Sequence, residues 1–113
     1  MEYYVEETKS QIREILMRIV TDLNNGENAS SRTVCNQKGT ILSDIRFLVD
    51  NGVDSDTMKY LLGLWKDSAL NKAQPAAKNA INAMFVDFYE YAGKCETSKP
   101  SSGKKDIGYR YNR

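Results

Sequence analysis

The stretch of residues 12–23, IREILMRIVTDL, decides the fold that this sequence predicts. Its apolar residues recur at steps of three and four positions, which is the spacing of one face of an α-helix. Extended towards the N-terminus, this stripe consists of Val5, Ile12, Ile15, Leu16, Ile19, Val20 and Leu23. Asn24-Asn25-Gly26 follows, and a glycine there can take the left-handed conformation that ends a helix. We therefore expect a first helix over about residues 3–24.

A second helix is expected over about residues 31–51. Its stripe steps by four and three positions and consists of Val34, Lys38, Ile41, Ile45, Leu48 and Gly52, broadened by Cys35, Leu42 and Val49. Ser30 or Ser31 can supply the N-cap. Gly39 lies inside this helix at a cost of about 1 kcal/mol relative to alanine. A helix that breaks at Gly39 is therefore kept as an alternative.

Two further helices are expected over about residues 55–70 and 75–93. Asn51-Gly52 ends the second helix, and Asp54 or Ser55 caps the third almost at once. The apolar face of the third helix consists of Met58, Leu61, Leu62, Trp65 and Ala69. Pro75 suits the first turn of the fourth helix, where its missing N–H is not needed. The fourth stripe consists of Ala77, Ala80, Ile81, Met84, Phe88 and Ala92.

These patterns predict an all-α protein. A chain of 113 residues fits a single domain, and no segment alternates apolar and polar residues over the length of a strand. We expect about four helices, as a compact bundle or an orthogonal array, over residues 1–95. A basic, irregular tail over residues 96–113 completes the predicted organisation.

The tail, ETSKPSSGKKDIGYRYNR, differs in charge from the rest of the chain. It carries five basic and two acidic side chains, whereas residues 1–95 carry 11 basic and 13 acidic ones. Tyr109 and Tyr111 alternate with basic residues near its end. Basic groups can neutralise phosphates and tyrosine rings can stack on exposed bases, and the same residues suit a protein interface.

The chain has few residues of the types that catalysis or metal binding usually requires. The chain has no histidine, the side chain most often used as an acid or base at neutral pH. The carboxylate pairs Glu6–Glu7 and Asp54–Asp56 are explained by the starts of helices. Residues 50–56 have the look of a calcium loop, but the sixth position is Ser55 and the twelfth is Leu61. We therefore expect no catalytic, cofactor-binding or metal site.

The two cysteines bear on the expected cellular location of the protein rather than on a functional site. Cys35 and Cys95 are sixty residues apart and are expected as reduced thiols on apolar faces, rather than as a disulfide. No secretory signal is evident, and no apolar run approaches the ~18 residues that span a bilayer. The expected location is the cytoplasm, with no membrane contact.

The second and third helices also have the element order of a helix-turn-helix. The outer face of the third helix is near neutral, and Asp54 and Asp56 would meet a DNA backbone unfavourably. Reading of duplex DNA by this hairpin is therefore not expected.

The leading functional expectation is a small non-enzymatic protein that binds another macromolecule, as an inhibitor, an adaptor or an accessory subunit. Tyrosines at the rim of the bundle suit contact with a protein or a ribonucleoprotein. The expected contact residues are Tyr60, Tyr89, Lys99, Lys104, Lys105, Tyr109, Arg110, Tyr111 and Arg113. The alternative is a nucleic-acid-associated subunit whose basic tail contacts RNA or single-stranded DNA within a ribonucleoprotein assembly. Self-association is left open.

Overall fold

A computed structural model of the protein describes the backbone of residues 2–98 and the side chains of residues 4–97. All regular structure in this part of the chain is α-helical, which confirms the predicted class. The helices are α1 (Glu2–Asn24), α2 (Arg32–Asp50), α3 (Ser55–Lys72) and α4 (Pro75–Ser98). α4 continues past its expected end near residue 93, so the predicted start of the tail at Glu96 falls inside a helix.

The helices form a bundle of two hairpins. α1 packs on α2 and α3 packs on α4, while α2 also lies beside α4 and α1 beside α3. The Asn24 side chain links the end of α1 to the end of α3. It donates to the Lys72 carbonyl at 3.0 Å and accepts from the Gln74 N–H at 2.8 Å. α1 and α3 therefore end together. We call the opposite end of the bundle, where α1 and α3 begin and α2 and α4 end, the lower end.

The helix termini follow the chemistry of their capping residues. Gly26 and Gly52 have φ angles of +94° and +99°, the left-handed conformation expected of glycine after a helix. The Ser31 hydroxyl accepts from the Val34 N–H at 3.2 Å, and an Asp54 carboxylate oxygen accepts from the Thr57 N–H at 2.8 Å. Of the alternatives left open by the sequence, Ser31 caps α2 and Asp54 caps α3.

The core is built from the predicted stripes of all four helices. Phe85 and Phe88 meet edge to face, with ring centroids 5.0 Å apart. The largest side chains that are fully buried are Phe85, Phe88, Ile12, Leu16, Ile19, Ile41, Ile45, Leu48, Met58, Leu62, Ile81 and Val49. No helix within the described residues is both long enough and apolar enough to cross a membrane.

The placement of Cys35 on the apolar face of α2 is wrong. Cys35 is exposed, whereas its neighbour Val34 is buried and Cys95 is buried as expected. Cys35 lies in the first turn of α2, and its thiol faces the carbonyl of Ala29 in the preceding loop at 3.9 Å. At the start of α2, the buried face is therefore narrower than the apolar stripe predicted from the sequence.

Gly39 lies within a continuous α2, so the alternative of a break there is also wrong. Gly39 is exposed, and no atom lies within 4 Å of the position that a Cβ atom would take. We expect Gly39→Ala to raise the free energy of unfolding by about 0.5–1 kcal/mol, because alanine loses less backbone entropy on folding. Urea denaturation followed by circular dichroism measures this change.

Gly26→Ala is the matched control for this prediction, because Gly26 has a positive φ angle. Alanine is disfavoured in that conformation by roughly 1–2 kcal/mol, so this variant should be less stable than the wild type. A destabilising Gly39→Ala would contradict the continuous helix.

Asp44 is expected to make the free energy of unfolding depend on pH. Its carboxylate accepts from the Gln11 side chain at 2.9 Å between α1 and α2. Burial raises the pKa of Asp44 above 3.8, and the bond from Gln11 offsets part of this effect. Because the pKa is higher in the folded state, ionisation of Asp44 destabilises the fold as the pH rises from below 3.8 through the folded-state pKa.

We therefore expect Asp44→Asn to be more stable relative to the wild type at pH 7 than at pH 3. Denaturant unfolding of both proteins across this pH range measures the difference. A relative stability of Asp44→Asn that falls as the pH rises would contradict the assigned sign.

Candidate functional surface

Four large apolar side chains are exposed on the outer faces of α3 and α4. Tyr60 and Leu64 on α3 are 66% and 48% exposed, and Val86 and Tyr89 on α4 are 63% and 36% exposed. Residues three or four positions apart are neighbours on the surface of a helix. Each helix therefore contributes one pair of adjacent apolar side chains.

Gly63 connects the two pairs. The hydroxyl oxygen of Tyr89 lies 3.6 Å from the position that a Cβ atom would occupy on Gly63. Gly63 is three positions after Tyr60, so Tyr89 reaches from α4 to the part of α3 that carries Tyr60. We call the outer face that carries Tyr60, Gly63, Leu64, Val86 and Tyr89 the α3–α4 surface.

A small groove lies beside this surface at the lower end of the bundle. It has a volume of about 130 Å³ and an apolar lining that includes Met58, Leu62 and Ala92. Tyr89 also lines it, so the groove and the α3–α4 surface share a wall. Sites for small organic ligands usually measure ~300–1,000 Å³. The groove therefore suits a single side chain of a macromolecule better than a metabolite.

Lys59 and Glu96 are the charged residues that line the groove. The Oε2 oxygen of Glu96 is buried, and it has no hydrogen-bond partner within the described part of the chain. A buried carboxylate oxygen without a donor is costly, on the order of 1–3 kcal/mol or more. The Glu96 residue as a whole is half-buried.

Three of the carboxylates considered from the sequence have structural partners. Glu6 pairs with Lys9 at 3.0 Å, Asp50 pairs with Arg46 at 3.3 Å, and Asp54 caps α3. Within the residues that the structure describes, no three Cys, Asp or Glu side chains gather closely enough to hold a metal ion. In the segment 50–56, Asp50 thus takes part in an ion pair and Asp54 in a helix cap.

Cys95 has a polar neighbour in the core. A hydrogen bond with the Cys95 side chain raises the pKa of Arg46, and the charge of Asp50 contributes in the same direction. Arg46 lies on α2 and Cys95 on α4. This contact therefore joins the two helices near the lower end, as the Lys38–Asp87 ion pair does higher in the bundle.

The structure brings together two of the predicted contact residues. Tyr60 and Tyr89 lie on the α3–α4 surface, and the Tyr89 hydroxyl approaches Gly63, three positions after Tyr60. The other predicted contacts lie outside the described residues: Lys99, Lys104, Lys105, Tyr109, Arg110, Tyr111 and Arg113.

Sequence reasoning missed Leu64, Val86 and the link through Gly63. Leu64 and Val86 are large apolar residues that lie outside the predicted stripes. That position was the sequence signal from which their exposure could have been predicted. The approach of Tyr89 to Gly63 depends on how two helices are rotated against each other, which no local pattern gives. Comparisons with protein-family models, with curated proteins and with solved structures found no match to this chain.

Proposed function

We propose that the protein is a small non-enzymatic helical protein that binds another protein through the α3–α4 surface, as an inhibitor, an adaptor or an accessory subunit. The observation that supports this proposal is the set of four exposed apolar side chains on the neighbouring helices α3 and α4. Burial of one such side chain stabilises a protein by about 1.5–3 kcal/mol. Four of them exposed on two neighbouring helices leave unused apolar area that a partner can cover.

The chemistry of the patch favours a protein partner. Tyr60 and Tyr89 combine a rigid apolar ring with one hydroxyl, so they give contact area at a low cost in side-chain entropy. A complementary surface would present apolar side chains to Leu64 and Val86 and hydrogen-bond acceptors to the tyrosine hydroxyls. These are common features of protein interfaces.

The charge of the bundle supports a protein over a nucleic acid. Residues 1–98 carry 11 basic and 14 acidic side chains. Nucleic-acid binding draws much of its affinity from cationic contacts with phosphates, and an acidic bundle supplies few of them. Association with RNA or single-stranded DNA through the tail is kept as an outcome of the test below.

The cysteines support a cytoplasmic location for this interaction. Cys35 and Cys95 are not joined by a disulfide, and Cys35 is exposed. Exposed thiols persist in reducing compartments and are oxidised more readily elsewhere.

Capture from the native cell after nuclease treatment tests the proposal when it is carried out with three proteins: wild type, Tyr60→Ser and Tyr4→Ser. Tyr4 is the matched control, because it is 60% exposed but lies on α1. We expect the wild type and Tyr4→Ser to retain one stoichiometric protein, and Tyr60→Ser to lose it.

Equal capture by all three proteins would overturn the assigned surface. A wild type that runs alone as a monomer would overturn the proposed function. Capture that disappears on nuclease treatment would instead support the nucleic-acid alternative, and recovery of a second copy of this chain would show self-association.

A further inference from the structure

The chain contains two Asn-Gly sequences, and each follows the end of a helix: Asn25-Gly26 after α1 and Asn51-Gly52 after α2. We propose that Asn25 is a site of spontaneous deamidation in the folded protein, whereas the fold protects Asn51. The co-reactant is water. The reaction converts the side-chain amide to a carboxylate and releases ammonia.

The reaction at Asn25 proceeds through a cyclic imide. The backbone nitrogen of Gly26 loses its proton to hydroxide and attacks Cγ of Asn25. A bond forms between this nitrogen and Cγ, the bond from Cγ to Nδ2 breaks, and Nδ2 leaves as ammonia after taking a proton from water. Water then opens the ring at either carbonyl, which leaves aspartate or isoaspartate at position 25. The glycine has no Cβ atom to hinder the attack.

The backbone restrains the attacking nitrogen to a similar degree at both sites. Gly26 and Gly52 both have positive φ angles, and each helix ends in the same pattern of two hydrogen bonds. The N–H of the glycine and the N–H of the residue after it donate to carbonyls of the preceding helix. These bonds are 3.0 and 2.9 Å long after α1, and 3.2 and 3.0 Å long after α2. The backbone therefore gives no reason for different rates.

The side chains of the two asparagines are held differently. Asn51 is half-buried, and its Nδ2 donates to the Phe47 carbonyl at 2.8 Å. Cyclisation moves this amide towards the nitrogen of Gly52, so the bond has to break first. Asn25 is exposed, and within the described residues its side chain makes no hydrogen bond. Its amide is therefore free to adopt the reactive rotamer.

The hydrogen bond of Asn51 sets the expected ratio of the two rates. The net strength of a bond between neutral groups lowers the population of the reactive rotamer about three- to tenfold. Because the restraint on the backbone is shared, this factor applies directly to the rates. Asn25 is therefore expected to react about three- to tenfold faster than Asn51.

Two neighbouring asparagines provide slow references in the same stretch of chain. Asn24 and Asn28 are not followed by glycine, so a Cβ atom on the next residue hinders ring closure. The Asn24 side chain is also bonded at both ends, to the Lys72 carbonyl and the Gln74 N–H. The Asn28 Oδ1 atom accepts from the Ser30 N–H at 2.9 Å. Modification within residues 24–28 is therefore expected at Asn25.

Incubation of the folded, full-length protein at pH 8, followed by peptide mass spectrometry, tests the proposal. Trypsin releases residues 19–32 with Asn25 and residues 47–59 with Asn51, and fragmentation assigns the change from amide to acid to one position. A sample taken before incubation corrects for deamidation during digestion. We expect the acid form to accumulate about three- to tenfold faster at position 25 than at position 51, with rates that rise with pH because the attacking nitrogen has to lose a proton.

The same incubation in guanidinium chloride, with unfolding monitored by circular dichroism, is the matched control. The two rates should converge there, because unfolding breaks the bond between Asn51 and Phe47. Equal rates in the folded protein, or a faster rate at Asn51, would overturn the proposal. A ratio that stays the same after unfolding would also overturn it, because the difference would then come from the flanking sequence rather than from the fold.

Discussion

Phe88→Ala is expected to lower the free energy of unfolding by about 3–5 kcal/mol. Phe88 is 1% exposed and packs edge to face on Phe85, which is also 1% exposed. The substitution removes a buried ring and its contact with Phe85, and it leaves a cavity where α4 meets the core. Domains of this size are stable by roughly 5–15 kcal/mol, so the loss is a large fraction of the total.

Urea denaturation followed by far-ultraviolet circular dichroism measures this loss. Phe47→Ala is the matched control, because Phe47 is only partly buried and packs against the edge of the core. We expect a distinctly smaller loss for this variant. A larger loss for Phe47→Ala than for Phe88→Ala would contradict the packing described above.

The double variant Tyr60→Ala/Tyr89→Ala is expected to weaken binding to the captured partner on the order of several hundred-fold. Aromatic anchors at the centre of an interface each contribute about 2 kcal/mol or more, and 1.4 kcal/mol corresponds to a tenfold change. Tyr60 and Tyr89 are the two aromatic side chains of the α3–α4 surface, and the Tyr89 hydroxyl lies against Gly63. Titration calorimetry with the purified partner measures the affinity.

Two controls separate binding from folding in this experiment. Tyr4→Ala should bind with wild-type affinity, since Tyr4 lies on α1 away from the α3–α4 surface. The double variant should retain most of the wild-type free energy of unfolding, because Tyr60 is largely exposed and Tyr89 is at the surface. Unchanged affinity in the folded double variant would contradict the assignment of the tyrosines as anchors.

Much of the fold follows from local patterns in the sequence. The stripe Ile12, Ile15, Leu16, Ile19 and Val20 is buried as expected, because a three- and four-residue spacing can place these side chains together only on a helix. Capping chemistry is equally local, so Ser31 and Asp54 occur at helix starts that the sequence predicted to within a few residues.

The remaining features depend on contacts between helices. α2 and α3 are adjacent in the chain but lie diagonally across the bundle. The short connection between them did not indicate this arrangement. α4 continues to Ser98 and Cys95 is buried beside α2, so the helix packs beyond its expected end near residue 93. The joining of Tyr60 and Tyr89 through Gly63 likewise requires the rotation of α3 against α4.

Site-specific photo-cross-linking in the native cell tests most directly whether a protein partner covers the α3–α4 surface. A photoreactive amino acid is placed at Leu64 on this surface, or at Ser43, an exposed position on α2. We expect the Leu64 probe to form a covalent adduct with one partner protein and the Ser43 probe to form none. An adduct from Ser43 without one from Leu64 would contradict the proposed binding surface.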